Sequence, residues 1–136
     1  MIKIEKKPKI LVIGDLMIDS YLMGKCERIS LEAPVQIVDV EEETTLLGGA
    51  GNVIRNLASL GAKVSVMSVV GNDDTAILLK QMLDELETKS FLMEQKGRKT
   101  SKKTRIMASH SQVFRFDHES KNNISFDNVK KLMHMI

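Results

Sequence analysis

Cysteine, net charge and long apolar runs are all scarce in this sequence, and each shortage excludes a class of protein. Cys26 is the only cysteine among 136 residues, so the chain can form neither an internal disulfide nor a zinc site built from cysteines. A reduced, cytoplasmic compartment is therefore expected, and Cys26 is interpreted as a structural residue. The formal net charge is only +2, which predicts neither a nucleic-acid nor a membrane partner.

Apolar stretches are too short to cross a membrane. Charge-free segments such as residues 44–54 and 64–72 fall below the about 18 apolar residues that a spanning helix needs. Residues 1–8 mix apolar side chains with lysine and glutamate, so they lack the apolar centre of a signal peptide. With 43% hydrophobic residues, the composition is that of one soluble, globular domain.

What is present is a mixture of strand and helix patterns. Short apolar or β-branched runs predict strands, and apolar residues at helical spacing predict three helices. The last helix, capped by Ser125, reaches Ile136 without a glycine, a proline or a polar tail, so we expect the chain to be the front part of a longer one. The strands are predicted at residues 9–14, 34–42, 64–70, 90–94, 104–107 and 113–117, with a weaker one at 21–23. The helices are predicted at 51–60, after Asn72, Asp73 and Asp74, whose side chains offer cap oxygens, and after Ser125.

A glycine-rich segment, Leu47-Gly48-Gly49-Ala50-Gly51-Asn52, directly precedes the first predicted helix. Three glycines let a backbone approach a ligand closely, and a helix N-terminus offers free N–H groups to oxygen-rich ligands. The alternative is a tight helix entry capped by Asn52. Nucleotide-loop patterns fit poorly: no G-x-x-x-x-G-K-[ST] occurs, Ile54 replaces the small residue of the dinucleotide fingerprint, and no strong strand is predicted directly before the glycines.

Asp15 and Asp19 follow the first predicted strand, at the sheet edge where ligands of parallel α/β proteins gather. Two carboxylates four residues apart can accept hydrogen bonds from several hydroxyls of a polyol. A solvated turn with an aspartate cap is the alternative. The histidines, His110, His118 and His134, show no metal-ligand spacing and are expected at the surface.

Six cations lie within ten positions, from Lys96 to Arg105. A nucleic-acid interface would require interleaved aromatic residues and a basic surplus elsewhere, and the sequence has neither. We interpret the run as a solvated loop between strands, with the alternative that one or two of its cations bind a substrate phosphate.

Taken together, several segments resemble the ribokinase-like sugar kinases, and more narrowly the D-glycero-D-manno-heptose 7-phosphate kinases of ADP-heptose synthesis. The resemblance extends in the right order over residues 9–117. The segments that carry it are residues 12–21 (VIGDLMIDSY), 28–35 (RISLEAPV), 47–53 (LGGAGNV), 56–62 (NLASLGA), 70–74 (VGNDD) and 103–105 (KTR).

The resemblance implies a three-layer α/β sandwich with a small β-sheet lid, whose strands would lie at about residues 20–43 and 89–117. Residues 1–136 would form the N-terminal portion of a sugar kinase domain. The implied reaction is ATP-dependent phosphorylation of a sugar hydroxyl, such as that of D-glycero-D-manno-heptose 7-phosphate to the 1,7-bisphosphate for lipopolysaccharide core precursors, with ATP and Mg²⁺ as cofactors. The implied substrate-binding residues are Asp15, Asp19, Gly48, Gly49, Asn52 and Arg105.

The catalytic base of this family lies in a Gly-Ala-Gly-Asp motif, which does not occur in these 136 residues. No catalytic residue and no metal ligand are therefore expected in this segment, and the segment by itself is expected to be inactive. A non-catalytic sugar-binding or dimerisation module remains the alternative function. We also expect a homodimer joined through the lid, because one face of a small sheet would expose apolar side chains such as Val38, Val40, Phe114 or Phe116.

Overall fold

The computed structural model describes residues 7–109 and 111–135, which form two β-sheets and three helices. The expected α/β class with a second sheet is confirmed. Among the described helices, none has the length and apolar character needed to span a membrane. In chain order the elements are β1 (Lys9–Ile13), β2 (Leu16–Ile29), β3 (Gln36–Gly49), α1 (Ala50–Ser59), β4 (Lys63–Val70), α2 (Asp74–Glu85), β5 (Lys89–Glu94), β6 (Ser101–Ala108), β7 (Ser111–His118) and α3 (Phe126–Met133).

The core sheet consists of three parallel strands in the order β1-β4-β5. Parallel neighbours need crossover connections, and α2 supplies the one between β4 and β5. The central strand β4 buries Val64 and Val66 in one apolar cluster with Ile54 of α1 and with Leu79 and Leu83 of α2. This cluster packs both helices against the core sheet and supports the lid.

The second sheet, which we call the lid, has four strands in the order β3-β2-β6-β7. β2 is antiparallel to β3 and parallel to β6, and β6 and β7 form an antiparallel pair. The lid is anchored to the core because Leu16 and Ile18, at the start of β2, pack in the core cluster. The far half of β2 is exposed or half-buried, and every residue of β7 is exposed.

Two details of the predicted lid are wrong. The strand at 90–94 belongs to the core sheet as β5 rather than to the lid, because the crossover through α2 places the next strand parallel beside β4. The lid therefore comprises residues 16–49 and 101–118 instead of 20–43 and 89–117.

A strong strand leads directly into the glycine-rich segment, although none was predicted there. β3 continues through Gly49, and α1 begins at Ala50. The three consecutive glutamates at 41–43 resemble the end of a strand, but β3 is an edge strand of the lid, where charged side chains reach solvent without cost.

The predicted helix caps are confirmed for two helices. The Asp73 carboxylate accepts a hydrogen bond from the backbone N–H of Ala76 at the start of α2, and the Ser125 hydroxyl accepts one from Asn128 in α3. α1 follows Gly49 and has no side-chain cap, so the N–H groups of its first turn are not occupied by a side chain of its own N-cap.

Candidate functional site

The two faces of the lid differ in chemistry, because side chains alternate along each strand and directly paired residues share a face. One face, which we call the aspartate face, carries Met17, Asp19 and Tyr21 of β2 together with Gly48 of β3 and Arg105 of β6. The opposite face, the phenylalanine face, carries Ser20, Leu22, Thr104, Phe114 and Phe116.

Asp19 and Arg105 form an ion pair at the centre of the aspartate face. The Arg105 Nη1 atom donates to Asp19 Oδ1 at 2.5 Å, and both side chains are only about a fifth exposed. The hydrogen bond from Arg105 to Asp19 raises the pKa of the guanidinium above its usual value, against the opposing effect of burial. Arg105 is therefore a permanent positive charge beside the Asp19 carboxylate.

Gly48 makes room for the Asp19 carboxylate. A β-carbon at residue 48 would overlap Asp19 Oδ2 and would lie 2.9 Å from Met17 Cγ. Any side chain at this position would displace the carboxylate from the strand surface. Gly48 is buried, and its role is to leave the space that Asp19 occupies.

Asp15 lies where β1, β2 and the start of α1 meet. Its carbonyl oxygen accepts a hydrogen bond from the Ala50 N–H at 2.9 Å, and its side chain is exposed. Gly49 has a φ of 56°, and a β-carbon there would lie 2.6 Å from the Asp15 carbonyl oxygen. The left-handed conformation and the close backbone approach both require glycine at this junction.

Asn52 lies in the first turn of α1 and is exposed. Its Oδ1 atom accepts a hydrogen bond from Arg55 at 3.1 Å, rather than from a backbone N–H group of α1. The interpretation of Asn52 as the cap of its own helix is therefore wrong. Its side-chain amide is available to donate to a ligand at the N-terminus of α1.

The structure thus unites the predicted site residues in two adjoining groups. Gly48 and Arg105 each contact Asp19 on the aspartate face. Asp15 and Gly49 meet at the junction into α1, with Asn52 in the turn that follows, and Gly48 and Gly49 are the chain link between the two groups.

Sequence reasoning missed Tyr21, whose ring lies 5.2 Å from the Arg105 guanidinium carbon. A cation over an aromatic ring is stabilised by the ring's negative face, so Tyr21 helps to orient Arg105. The alternation Met17, Asp19, Tyr21 along β2 could have indicated that Tyr21 shares the face of Asp19. Its partner in β6 is set only by the tertiary pairing of the two strands.

The basic run at 96–105 is not a single solvated loop. Lys96, Arg98 and Lys99 lie in the connection after β5, whereas Lys102, Lys103 and Arg105 lie in β6. Alternation along β6 directs Lys103 and Arg105 to the aspartate face, and Lys103 pairs there with Asp117 at 3.4 Å.

Metal-ligating side chains do not gather in the part of the chain that the structure describes. No group of three histidine, cysteine, aspartate or glutamate residues is close enough there to hold a metal ion. His118 and His134 are exposed, as predicted. His110 lies outside the described residues.

Comparison with known proteins identifies the family of this chain. The pfkB family of carbohydrate kinases matches residues 7–134. The chain belongs to this family. The bifunctional protein HldE of Sulfurimonas denitrificans is 54% identical over 130 residues, which are 95% of this chain and 27% of that protein. HldE of Campylobacter concisus is 58% identical over 113 residues, covering 82% of this chain and 24% of that protein. This pfkB chain spans about a quarter of the length of the curated relatives it matches.

Solved structures share the fold of this pfkB chain. A putative sugar kinase from Clostridium perfringens superposes with a TM-score of 0.73 at 18% identity, covering 96% of this chain and 41% of that one. Ribokinase from Cryptococcus neoformans, solved with ADP, gives a TM-score of 0.58 at 23% identity, covering 82% and 34%. The predicted ribokinase-like fold and membership among carbohydrate kinases are confirmed.

Proposed function

We propose that this chain forms the sugar-binding part of an ATP-dependent kinase that phosphorylates a hydroxyl of a phosphorylated sugar. The observation that carries the proposal is the Asp19 carboxylate, which lies over Gly48 and is held by Arg105 beside the start of α1. The proposed substrate is D-glycero-D-manno-heptose 7-phosphate, as the motif resemblance implies, and the product is the 1,7-bisphosphate.

Asp19 is suited to accept hydrogen bonds from sugar hydroxyls. A carboxylate has about four acceptor sites, and the hydrogen bond from Arg105 uses one of them. The ion pair fixes the carboxylate before the sugar arrives, so less side-chain freedom is lost on binding. Asp15 would add a second carboxylate, and the Asn52 amide and the backbone at Gly48 and Gly49 would contact the ring from the α1 side.

Arg105 is suited to bind the phosphate of the substrate. Its guanidinium has five N–H donors, of which the contact with Asp19 engages one nitrogen. The remaining donors can bind phosphate oxygens, and arginine forms such contacts in pairs. In this arrangement Arg105 both holds the Asp19 carboxylate in place and selects a phosphorylated sugar over a neutral one.

ATP and Mg²⁺ would supply the phosphoryl group and neutralise its charge during transfer. The described residues hold no cluster that fits a metal ion, and the sequence has no Gly-Ala-Gly-Asp motif. We therefore assign no step of the transfer to these residues. The catalytic base and the nucleotide site are proposed to come from residues outside this 136-residue chain.

A homodimer through the lid is part of the proposal. Phe114 and Phe116 lie on the phenylalanine face and are 60% and 40% exposed, and Val40 of β3 is 51% exposed. Exposed apolar side chains grouped on one sheet are typical of partner surfaces. A second copy of the lid, packed sheet on sheet with two-fold symmetry, would cover them.

The test is a kinase assay of the full-length protein with MgATP and D-glycero-D-manno-heptose 7-phosphate, measured as ADP release. We expect turnover of this substrate and little turnover of the unphosphorylated heptose. The Arg105→Gln variant should lose this preference, because it removes the charge that binds the phosphate. Sugar binding without any turnover by the full-length protein would instead establish a sugar-binding module. Turnover by the 136-residue chain alone would refute the proposal that the catalytic base and the nucleotide site lie outside this chain.

A further inference from the structure

A cleft separates the lid from the N-terminal turn of α2. It has a volume of about 560 Å³ and is lined by Leu22, Thr104 and Phe116 of the lid and by Asp73, Asp74 and Thr75 of the α2 end. Since the phenylalanine face does not pack tightly on α2 here, apolar contact does not fix the angle between the lid and the core at this point. The connection that enters β6 supplies a restraint here, in addition to the packing of Leu16 and Ile18 in the core cluster.

A small polar joint, formed by Gly71, Asp73 and Thr100, spans the edge of this cleft. The Thr100 N–H donates to Asp73 Oδ2 at 2.8 Å, and the Gly71 N–H donates to the Thr100 hydroxyl at 2.9 Å. Thr100 is only 3% exposed, and the hydrogen bond from Gly71 is buried while the one to Asp73 is partly buried. A β-carbon at residue 71 would overlap the carbonyl oxygen of Arg98, which shows how closely the connection passes over the core.

Asp73 acts on two elements at once. Its Oδ1 atom accepts from the Ala76 N–H and caps α2, while its Oδ2 atom accepts from Thr100, the residue directly before β6. One carboxylate therefore connects the N-terminus of a core helix to the residue that directly precedes a lid strand. Capping alone would need only one of these oxygens.

We infer that Asp73 is a positioning residue, which sets where β6 enters the lid and thereby where Arg105 stands relative to Asp19. Thr100 precedes Ser101, which is paired with Met17 of β2, and the same register brings Arg105 opposite Tyr21. A parallel pair of strands has no hairpin turn to fix its register. The register of β6 against β2 is therefore restrained locally by the point at which β6 enters the lid. This inference rests on the proposed function, because Arg105 and Asp19 are assigned there to the sugar phosphate.

The test uses variants of the full-length protein that separate the two oxygens of Asp73. Asp73→Ser keeps a hydroxyl that can cap α2 but cannot also reach Thr100. Thr100→Val removes the acceptor of the Gly71 N–H at nearly constant shape, and Thr100→Ser retains it. Ser125→Ala is the matched control, because it removes a cap of the same kind from α3 without touching the joint.

Two readouts are measured: the KM values for the sugar phosphate and for ATP, and the hydrogen-exchange rates of the β6 amides without any ligand. Asp73→Ser and Thr100→Val should each raise the sugar KM by about 10-fold and speed β6 exchange by a similar factor, as expected for the loss of one buried or partly buried hydrogen bond. The KM for ATP should stay within about 2-fold, and Thr100→Ser and Ser125→Ala should behave like the wild type.

Several outcomes would overturn the inference. Unchanged β6 exchange in Asp73→Ser would show that capping is the whole role of this residue. An equal rise of both KM values, or a Thr100→Ser variant as impaired as Thr100→Val, would indicate general loss of structure. If the wild type phosphorylates no sugar phosphate, the proposed function fails, but the β6 exchange rates still decide whether Asp73 positions this strand.

Discussion

Replacing Gly48 by alanine tests the geometry of the site most directly. The added β-carbon would overlap Asp19 Oδ2 and would lie 3.0 Å from Asp19 Cγ and 2.9 Å from Met17 Cγ. To restore ordinary contact distances the carboxylate has to move by about 1 Å, and adding a methyl group to a packed site costs about 1–3 kcal/mol in stability. The hydrogen bond with Arg105, which is 2.5 Å long, would be stretched or broken by this movement.

The functional effect should exceed the effect on stability. A displacement of about 1 Å in a group that positions substrate can reduce the rate by about 100-fold, which corresponds to about 2.7 kcal/mol of transition-state stabilisation. We expect this loss in kcat/KM for the sugar phosphate in the full-length Gly48→Ala protein, with an unchanged KM for ATP.

Gly61→Ala provides the matched control for the Gly48 prediction. Gly61 has a φ of +85° and no atom within 4 Å of its would-be β-carbon, so the substitution costs about 1 kcal/mol in backbone strain and leaves the site intact. A double variant with Asp19→Ala should recover part of the thermal stability lost in Gly48→Ala, since the overlapping carboxylate is gone. A Gly48→Ala enzyme within about 3-fold of wild-type kcat/KM, or strictly additive thermal shifts, would refute the reasoning.

Three further predictions follow from the same structure. Asp19→Asn and Asn52→Ala should each cost about 1–3 kcal/mol in kcat/KM for the sugar, because each removes a hydroxyl partner; wild-type values in both would refute the site. Light scattering of the full-length protein should show a dimer that Phe114→Asp with Phe116→Asp dissociates, and a wild-type monomer at tens of micromolar would exclude the lid interface. Burial acts to raise the pKa of Asp73, but hydrogen bonds from Thr100 and Ala76 outweigh it and lower that pKa below its ordinary 3.8. The stabilising contribution of Asp73 is thus complete above that value and is lost as the pH falls through the folded-state pKa. The difference in melting temperature between wild type and Asp73→Ser should therefore shrink as the pH is lowered from about 5 towards about 2, and a difference that widened with acid would contradict this sign.

Local chemistry was sufficient to predict the helices and two of their caps, and to single out most of the candidate site residues. A cap such as Asp73 and an apolar helical face are relations among residues at most a few positions apart, so the sequence displays them directly. Asp15, Gly48 and Gly49 could be singled out for a similar reason, since they lie beside a strand end or a helix start, whereas Asp19, expected after the first strand, lies within β2 of the lid. The motifs that carry the family resemblance are likewise short and continuous.

Tertiary structure alone decided the relations between distant residues. Arg105 reaches Asp19 across 86 positions of the chain, and Thr100 reaches Asp73 across 27. The pattern of β6 predicts which of its side chains share a face. A parallel strand, however, has no hairpin turn that fixes its neighbour or its register. The same physical reason explains why residues 90–94, which were predicted as a lid strand, form part of the core sheet: the crossover through α2, and not the strand's own sequence, selects its partner.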